Sequence, residues 1–397
     1  MRPRRPSQEI IADGDAQGLV EQCLDQAGQQ RASDVHFEPQ ATKFLIRFRV
    51  DGALQVWKEM PLQAHAQIVA RLKVMAKMDI SEKRMPQDGR FTRTTTHGLR
   101  DYRISTTPMM EGEKAVVRVL HEDLSKLTIN SIGYTEHNLR QYSQLLQKPH
   151  GLLLHCGPTG SGKTTALYAS INGLSQSWRN ISTIEDPVEG RLNGVNQAQV
   201  NPEIGLSFAS VLRAYLRQDC DVILVGEIRD PETAQLAVQA SLTGHLVLGT
   251  LHTNSAAGAV SRLMDMGVPN FFLAAGLIGV VSQRLVRRLC NECKQPIKPS
   301  DEQVRQYNLD PNLPLQQAGG CRKCNNQGYR GRIGIQEILV VNPQIREAIQ
   351  GTPSEAQLQD LALRSGMVNM FRDGVSKAAA GVTTVEEIYN TIVAERL

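Results

Sequence analysis

Two periodicities run along this chain. In KFLIRFRVDG, Phe44, Ile46, Phe48 and Val50 alternate with Leu45, Arg47 and Arg49. A period of two predicts a half-buried strand, and Asp51–Gly52 reads as the turn that closes it. LQAHAQIVARLKVMAKM then sets Ile68, Leu72 and Met75 on one helical face. DYRISTTP and KAVVRVL read as further strands, so residues 31–130 are expected to form a small α+β domain. Residues 1–30 are expected to be a flexible lead segment, and DLSKLTINSIGYTEHN a linker.

The pattern changes near residue 150. GLLLHC, NISTIED, DVILVGE and HLVLGTL are short apolar segments separated by helix-forming stretches, the signature of buried parallel strands in an α/β sheet. FFLAAGLIGVV is expected to be a buried helix, because it falls short of the roughly 18–20 residues a membrane span needs. Residues 340–397 read as helical, with a start at Thr384 and Glu387 three residues on.

Composition narrows the function classes. A net charge of +4 gives no reason to expect nucleic-acid binding by bulk electrostatics, and aromatics at 5% offer little base stacking. MRPRRPSQEI is basic but lacks the apolar core of a secretory signal, so a cytoplasmic chain is expected. The same stretch is either a solvated start or a contact for an acidic membrane surface.

The candidate chemistry begins at GPTGSGKTT, residues Gly157, Pro158, Thr159, Gly160, Ser161, Gly162, Lys163, Thr164 and Thr165. It follows one strand candidate and opens one helix candidate, the setting a phosphate-binding P-loop requires. The glycines let backbone N–H groups face phosphate, and the helix terminus adds positive potential. Lys163 is expected to reach the β- and γ-phosphates and Thr164 to ligate Mg²⁺. VILVGEIRD supplies Glu227 after an apolar strand, with Gly226 where many P-loop enzymes carry Asp. Glu227 is therefore expected to act alone, on Mg²⁺ through water or near the attacking water. STIEDPVEG adds Glu185, Asp186 and Glu189, either a solvated acidic loop or carboxylates that orient water or metal. His245 and His252 flank a further strand, as structural histidines or as sensors of the γ-phosphate.

Cys290, Cys293, Cys321 and Cys324 form two CxxC pairs in residues 286–335. Four sulfurs with no open position point to structural Zn²⁺; reduced thiols or a redox pair are the alternatives.

Taken together, these boxes resemble the secretion ATPase superfamily, specifically the hexameric motors of type II secretion and type IV pilus assembly. ASDVHFEP, RFRVDG, KRMPQDGR and ISTTPMMEGEKAVVRVL resemble that family's second amino-terminal domain. The resemblance implies a RecA-like P-loop ATPase domain over 131–397, preceded by a PAS-like α+β domain. A zinc-knuckle insertion and a helical C-terminal region complete it. It implies that Glu185 polarises the attacking water and that Glu227 holds the Walker B position. His245 and His252 would line the nucleotide pocket, and Arg84, Arg90 and Arg103 would close over the phosphates. The cofactors implied are ATP, Mg²⁺ and Zn²⁺. The partners implied are further copies in a hexamer and an inner-membrane platform protein, with peripheral placement at that membrane and no direct nucleic acid. The cysteine module favours assembly over pilus retraction; DNA uptake or translocation is the runner-up. Two departures stand out. Relatives often carry a further docking domain ahead of ASDVHFEP, whose absence here implies a different or reduced membrane contact. Cys220 stands where the family usually has Pro, with little effect expected on the chemistry.

Overall fold

The computed structural model describes residues 16–95, 98–120, 124–175 and 178–393. The chain forms two compact units, Met1–Glu122 and Asp123–Leu397.

The first unit opens with α1 (Ala16–Gln29), whose Leu19, Val20, Cys23, Leu24 and Ala27 recur at helical spacing and are buried. Residues 16–29 therefore belong to the core of the unit, not to a flexible lead; the basic MRPRRP start lies outside the described residues. There follow β1 (Ala32–Pro39), β2 (Phe44–Val50), β3 (Ala53–Met60), α2 (His65–Met75), β4 (Gln87–Thr95), β5 (Gly98–Met109) and β6 (Gly112–Val119). The six strands make one antiparallel sheet in the order β3-β2-β1-β6-β5-β4. The β2–β3 hairpin turns on Asp51 (φ 50°) and Gly52 (φ 90°), the left-handed pair that an Asp-Gly turn needs. One sheet face buries Phe44, Ile46, Phe48, Ile104 and Val117 against α1 and α2. The alternate positions form a lateral row across five strands, Arg49, Asp34, Arg118, Arg103 and Arg90.

The second unit begins with two single-turn segments, in which Leu124 and Ile132 are buried. The expected linker is thus packed onto this unit, and its Tyr134 stacks on Tyr142. In order come α3 (Glu136–Leu146), β7 (Gly151–Cys156), α4 (Lys163–Leu174), β8 (Ile181–Glu185), β9 (Asn196–Gln199), α5 (Phe208–Tyr215) and β10 (Val222–Val225). Next are α6 (Pro231–Leu242), β11 (Leu246–Leu251), α7 (Ala256–Asp265), α8 (Asn270–Gly276) and β12 (Leu277–Leu289). The cysteine module contributes β13 (Gln295–Ile297), α9 (Asp301–Tyr307) and β14 (Leu315–Gln317), and β15 (Tyr329–Val340) returns to the sheet. Four helices close the unit: α10 (Pro343–Gln350), α11 (Glu355–Arg364), α12 (Met370–Ala379) and α13 (Val385–Val393). Glu387 N donates to Thr384 Oγ1 (3.2 Å), which caps α13 where the sequence placed its start.

The sheet runs β15-β12-β7-β11-β10-β8-β9. Neighbours from β12 through β9 are parallel, and β15 is antiparallel to β12. The four apolar segments became β7, β8, β10 and β11, each buried along its whole length because helices cover both faces. A parallel sheet gathers its strand carboxyl ends at one edge, where loops and helix N-termini can build a site. FFLAAGLIGVV divides between elements: Phe271 and Phe272 are exposed on the short α8, and the β-branched residues from Ile278 enter β12. The helical end is tied back by Asp373 of α12. Its buried carboxylate accepts from Gln336 N (2.9 Å), Thr135 Oγ1 (3.1 Å), Asn138 Nδ2 (2.9 Å) and Lys377 Nζ (2.5 Å).

Candidate functional site

Between β7 and α4 the backbone passes through Gly157 (φ 148°), Gly160 (φ 79°) and Gly162 (φ 86°). A Cβ on Gly157 would lie 2.5 Å from Gln283 O and 2.6 Å from Ser161 Oγ, so both conformation and space demand glycine. β12 braces the loop from outside, with Gln283 Nε2 donating to Ser161 O (2.8 Å). Lys163 Nζ turns back to Gly157 O (2.6 Å) and Pro158 O (3.0 Å). Burial pulls the Lys163 ammonium below its ordinary pKa, opposed by Cys156 and Glu227. Thr164 is exposed in the first turn of α4, where a hydroxyl can meet a cation.

β11 lies between the P-loop strand β7 and β10, and Glu227 follows β10. Glu227 Oε2 meets Arg229 Nη2 at 2.6 Å, and Oε1 meets His252 Nε2 at 3.2 Å. Burial works against the Glu227 charge, but Arg229, His252 and Lys163 outweigh it and hold the carboxyl below its ordinary range. Gly226 now has a reason: a Cβ there would lie 3.0 Å from Ile184 O and 3.2 Å from Glu185 Cα. The end of β8 passes so close that a side chain at this position would crowd its backbone, and Glu227 is the acid that follows this strand.

Glu185 ends β8 and is 4% exposed. Thr183 Oγ1 donates to its Oε1 (2.6 Å), as does Gln197 Nε2 (3.2 Å), and Tyr168 Oη donates to Oε2. Burial raises the Glu185 pKa, and these three donors offset part of that rise. Asp186 is exposed and 3.9 Å from Arg229 Nη1, and the Glu189 amide donates to Tyr168 Oη (3.3 Å).

P-loop, Glu185, Glu227 and His252 thus meet at one sheet edge. His245 does not join them. It precedes β11, and its carbonyl accepts from Gly151 N at the start of β7. At the ordinary strand rise this is about 20 Å from Gly157, and its ring bonds Ala240 O instead (3.1 Å). The expectation that His245 lines the same pocket is corrected by strand direction. Arg84, Arg90 and Arg103 belong to the first unit. Arg84 is 88% exposed and forks onto Glu82, and Arg90 faces Arg103 across β4 and β5. Residues that sequence reasoning passed over are Tyr168, Gln197, Arg229, Gln283 and Arg284. Arg284 is buried and joins Gln283 O (3.1 Å) to Asn254 O (3.1 Å), linking the P-loop brace to the segment after His252. Cys220 sits before β10 and bonds Ser182 Oγ (3.3 Å), clear of the site.

The four cysteines converge as well. Their sulfurs all lie within 4.8 Å of one another. Cys290–Cys321 and Cys293–Cys324 are separated by 3.8 Å, and Cys321–Cys324 by 3.7 Å. These are too long for a disulfide and match the edge of about 3.8 Å in a tetrahedron with metal–sulfur bonds of about 2.3 Å. The amides of Cys321 (3.3 Å) and Gly328 (3.2 Å) point at Cys324 Sγ, as thiolate ligands favour. The donor set fits a closed four-sulfur metal site.

A mainly parallel sheet with one strand between the P-loop strand and the strand that leads to the acid Glu227 defines a RecA-like P-loop nucleotide-binding core. Here it carries a tetracysteine module and follows an antiparallel α+β unit. The chain belongs to the family described as Type II/IV secretion system protein, whose model matches residues 12–390. It is 48% identical over 387 residues to type II secretion system protein E of Dickeya dadantii, covering 96% of this chain and 78% of that protein. It is 43% identical to the type IV pilus assembly ATPase PilB of Thermus thermophilus, covering 96% of this chain and 44% of that protein. Among solved structures, the pilus retraction motor PilT with bound ADP aligns with a TM-score of 0.63 at 27% identity. That match covers 93% of this chain and 95% of PilT.

Proposed function

We propose that this chain is a motor ATPase that hydrolyses ATP to drive pilus or pseudopilus assembly, in type II secretion or type IV pilus biogenesis. The convergence of the P-loop, Glu185 and the Glu227–His252 pair at one sheet edge carries this reading. The amides of Gly157–Thr165 cradle phosphate oxygens, and Lys163 exchanges the carbonyls of Gly157 and Pro158 for the β- and γ-phosphates. Thr164 and, through water, Glu227 fit a hard cation that takes oxygen ligands. Bound Mg²⁺ supplies neutralising charge to the transferring phosphoryl group. Glu185 accepts the proton of the attacking water. His252 and Arg229 fix Glu227 in its ionised form. Guanidinium groups such as those of Arg84, Arg90 and Arg103 suit phosphoryl charge. Zn²⁺ on Cys290, Cys293, Cys321 and Cys324 would be structural. The working form is a homo-oligomer, a hexamer at the inner membrane face against a platform protein. Among the described residues no helix is long and apolar enough to cross a membrane, which suits attachment through partners.

A retraction motor is the second reading, favoured by the 27% identity to PilT. The higher identity to the Dickeya and Thermus proteins and the tetracysteine module support assembly. The test is Mg²⁺-dependent phosphate release by the purified chain, alone and with its membrane partner. Lys163→Ala is expected to abolish release with the circular dichroism spectrum unchanged. Absence of release in every wild-type preparation would overturn the reading.

A further inference from the structure

Tyr168 sits in α4 four residues after Thr164, so the two share one side of the helix, a turn apart. Its ring is fully buried among Leu167, Ile171, Ile181 and Leu192. Burying a tyrosine hydroxyl without a partner costs stability. This one gives its single proton to Glu185 Oε2 and accepts from Glu189 N. Thr183 and Gln197 serve Oε1, so each oxygen of the carboxylate has a directed donor.

We propose that Tyr168 is a positioning residue for Glu185, its donated hydrogen bond holding the carboxylate that activates water in its ionised form. The proposal rests on Glu185 being the base. The titratable groups facing Glu185 are Tyr168 from α4, Tyr215 from α5 and Glu189 beyond β8. Burial favours the neutral acid, and a neutral acid cannot take a proton. Donors to the carboxylate oppose burial. Tyr168 differs from the other two in its origin. It stands on the helix that begins with Lys163 and Thr164, so one rigid element carries both the phosphate contacts and the hydroxyl that sets the base. Any shift of α4 on nucleotide binding reaches Glu185 directly.

A core-filling tyrosine and a positioning tyrosine differ in the pH dependence they leave behind. Phosphate release by the full chain with Mg²⁺ is measured against pH for wild type, Tyr168→Phe, Tyr215→Phe and Glu185→Gln. Tyr168→Phe keeps the ring and removes the donor, so the acid limb of kcat should move up by about one pH unit. The plateau at higher pH and the KM for MgATP should stay within about twofold of wild type, since the P-loop is untouched. Tyr215 donates to Thr183 O (2.8 Å), the backbone of the same strand, and serves as the control: its phenylalanine variant should leave the limb in place. Uniform loss at all pH values in Tyr168→Phe, or an equal shift in Tyr215→Phe, would overturn the proposal. Glu185→Gln with near wild-type turnover would instead remove the reading of Glu185 on which it rests.

Discussion

His252 Nε2 stands 3.2 Å from Glu227 Oε1, so two residues from different strands share one contact at the carboxyl edge of the sheet. The carboxylate is the functional partner and the imidazole its holder. Glu227→Gln should lower ATP turnover on the order of 100-fold or more, because the charged acid is lost. His252→Ala leaves the acid but frees it, and should cost roughly 10- to 100-fold. Both variants should still bind nucleotide. Turnover assays beside titrations with a fluorescent ATP analogue check this, and lost binding in both would count against the division of roles.

Gly226→Asp tests the close approach of β8 to β10. The new Cβ would lie 3.0 Å from Ile184 O and 3.2 Å from Glu185 Cα. Restoring the commoner acid should therefore not improve the enzyme. It should destabilise the second unit by about 1–3 kcal/mol through overpacking and displace Glu185. Urea melts and turnover of the variant, compared with Gly226→Ala, give the measurement; the alanine should share most of the stability loss.

The cysteine cluster predicts one Zn²⁺ per chain by elemental analysis, lost in Cys321→Ser. Removing the metal should loosen more than the knuckles. Leu309 and Leu315 of the module pack in one cluster with Met370, Val375 and Ile388 of the terminal helices, and Lys294 Nζ bonds Gly381 O (2.8 Å). Hydrogen exchange after chelation should rise in β13, β14, α12 and α13, while β7, β10 and β11 stay protected. Equal exchange across the whole unit would contradict this division.

Glu337 gives a pH prediction with a definite sign. It is buried on β15, and its oxygens accept from Ala256 N (3.0 Å) and Met370 N (3.3 Å), the first amides of α7 and α12. Burial raises its pKa above the ordinary 4.5, against the pull of those amides. The native state then holds the proton more tightly than the unfolded chain. The stability this contributes is complete below pH 4.5 and falls as pH rises through the native value. Glu337→Gln removes the titration, so wild type minus variant stability should decline over that window and then level off. Urea melts between pH 4 and pH 8 check the slope, and a difference that grows with pH would refute the sign.

Much of this site was legible because its residues are contiguous. Three glycines before Lys163 announce the P-loop, and Glu185, Glu227 and His252 each follow an apolar run that had to be a strand. For His245 the residues left a structural role and a phosphate sensor open, and only the family resemblance put it in the pocket, although a deciding signal was present. In a parallel sheet, a residue before a strand belongs at the edge opposite one that follows it. Helix α1 was missed although Leu19, Val20, Cys23, Leu24 and Ala27 carry helical spacing. Gln283 could not be assigned from sequence: it lies 122 residues from Ser161, and only the pairing of β12 with β7 brings them together. Tyr168 was hidden differently, since a tyrosine in an apolar helix looks like packing until its hydroxyl partner is seen.

Strand β12 touches the P-loop through Gln283 and hands the chain to Cys290 just past its end. From Gly279 to Arg287 it is paired without a break to β15. Such a two-stranded ribbon is a stiff lever with one end on the phosphates and the other on the cysteine knuckles. Motion that begins at the nucleotide would reach the module as displacement, with no flexible joint along those residues to absorb it.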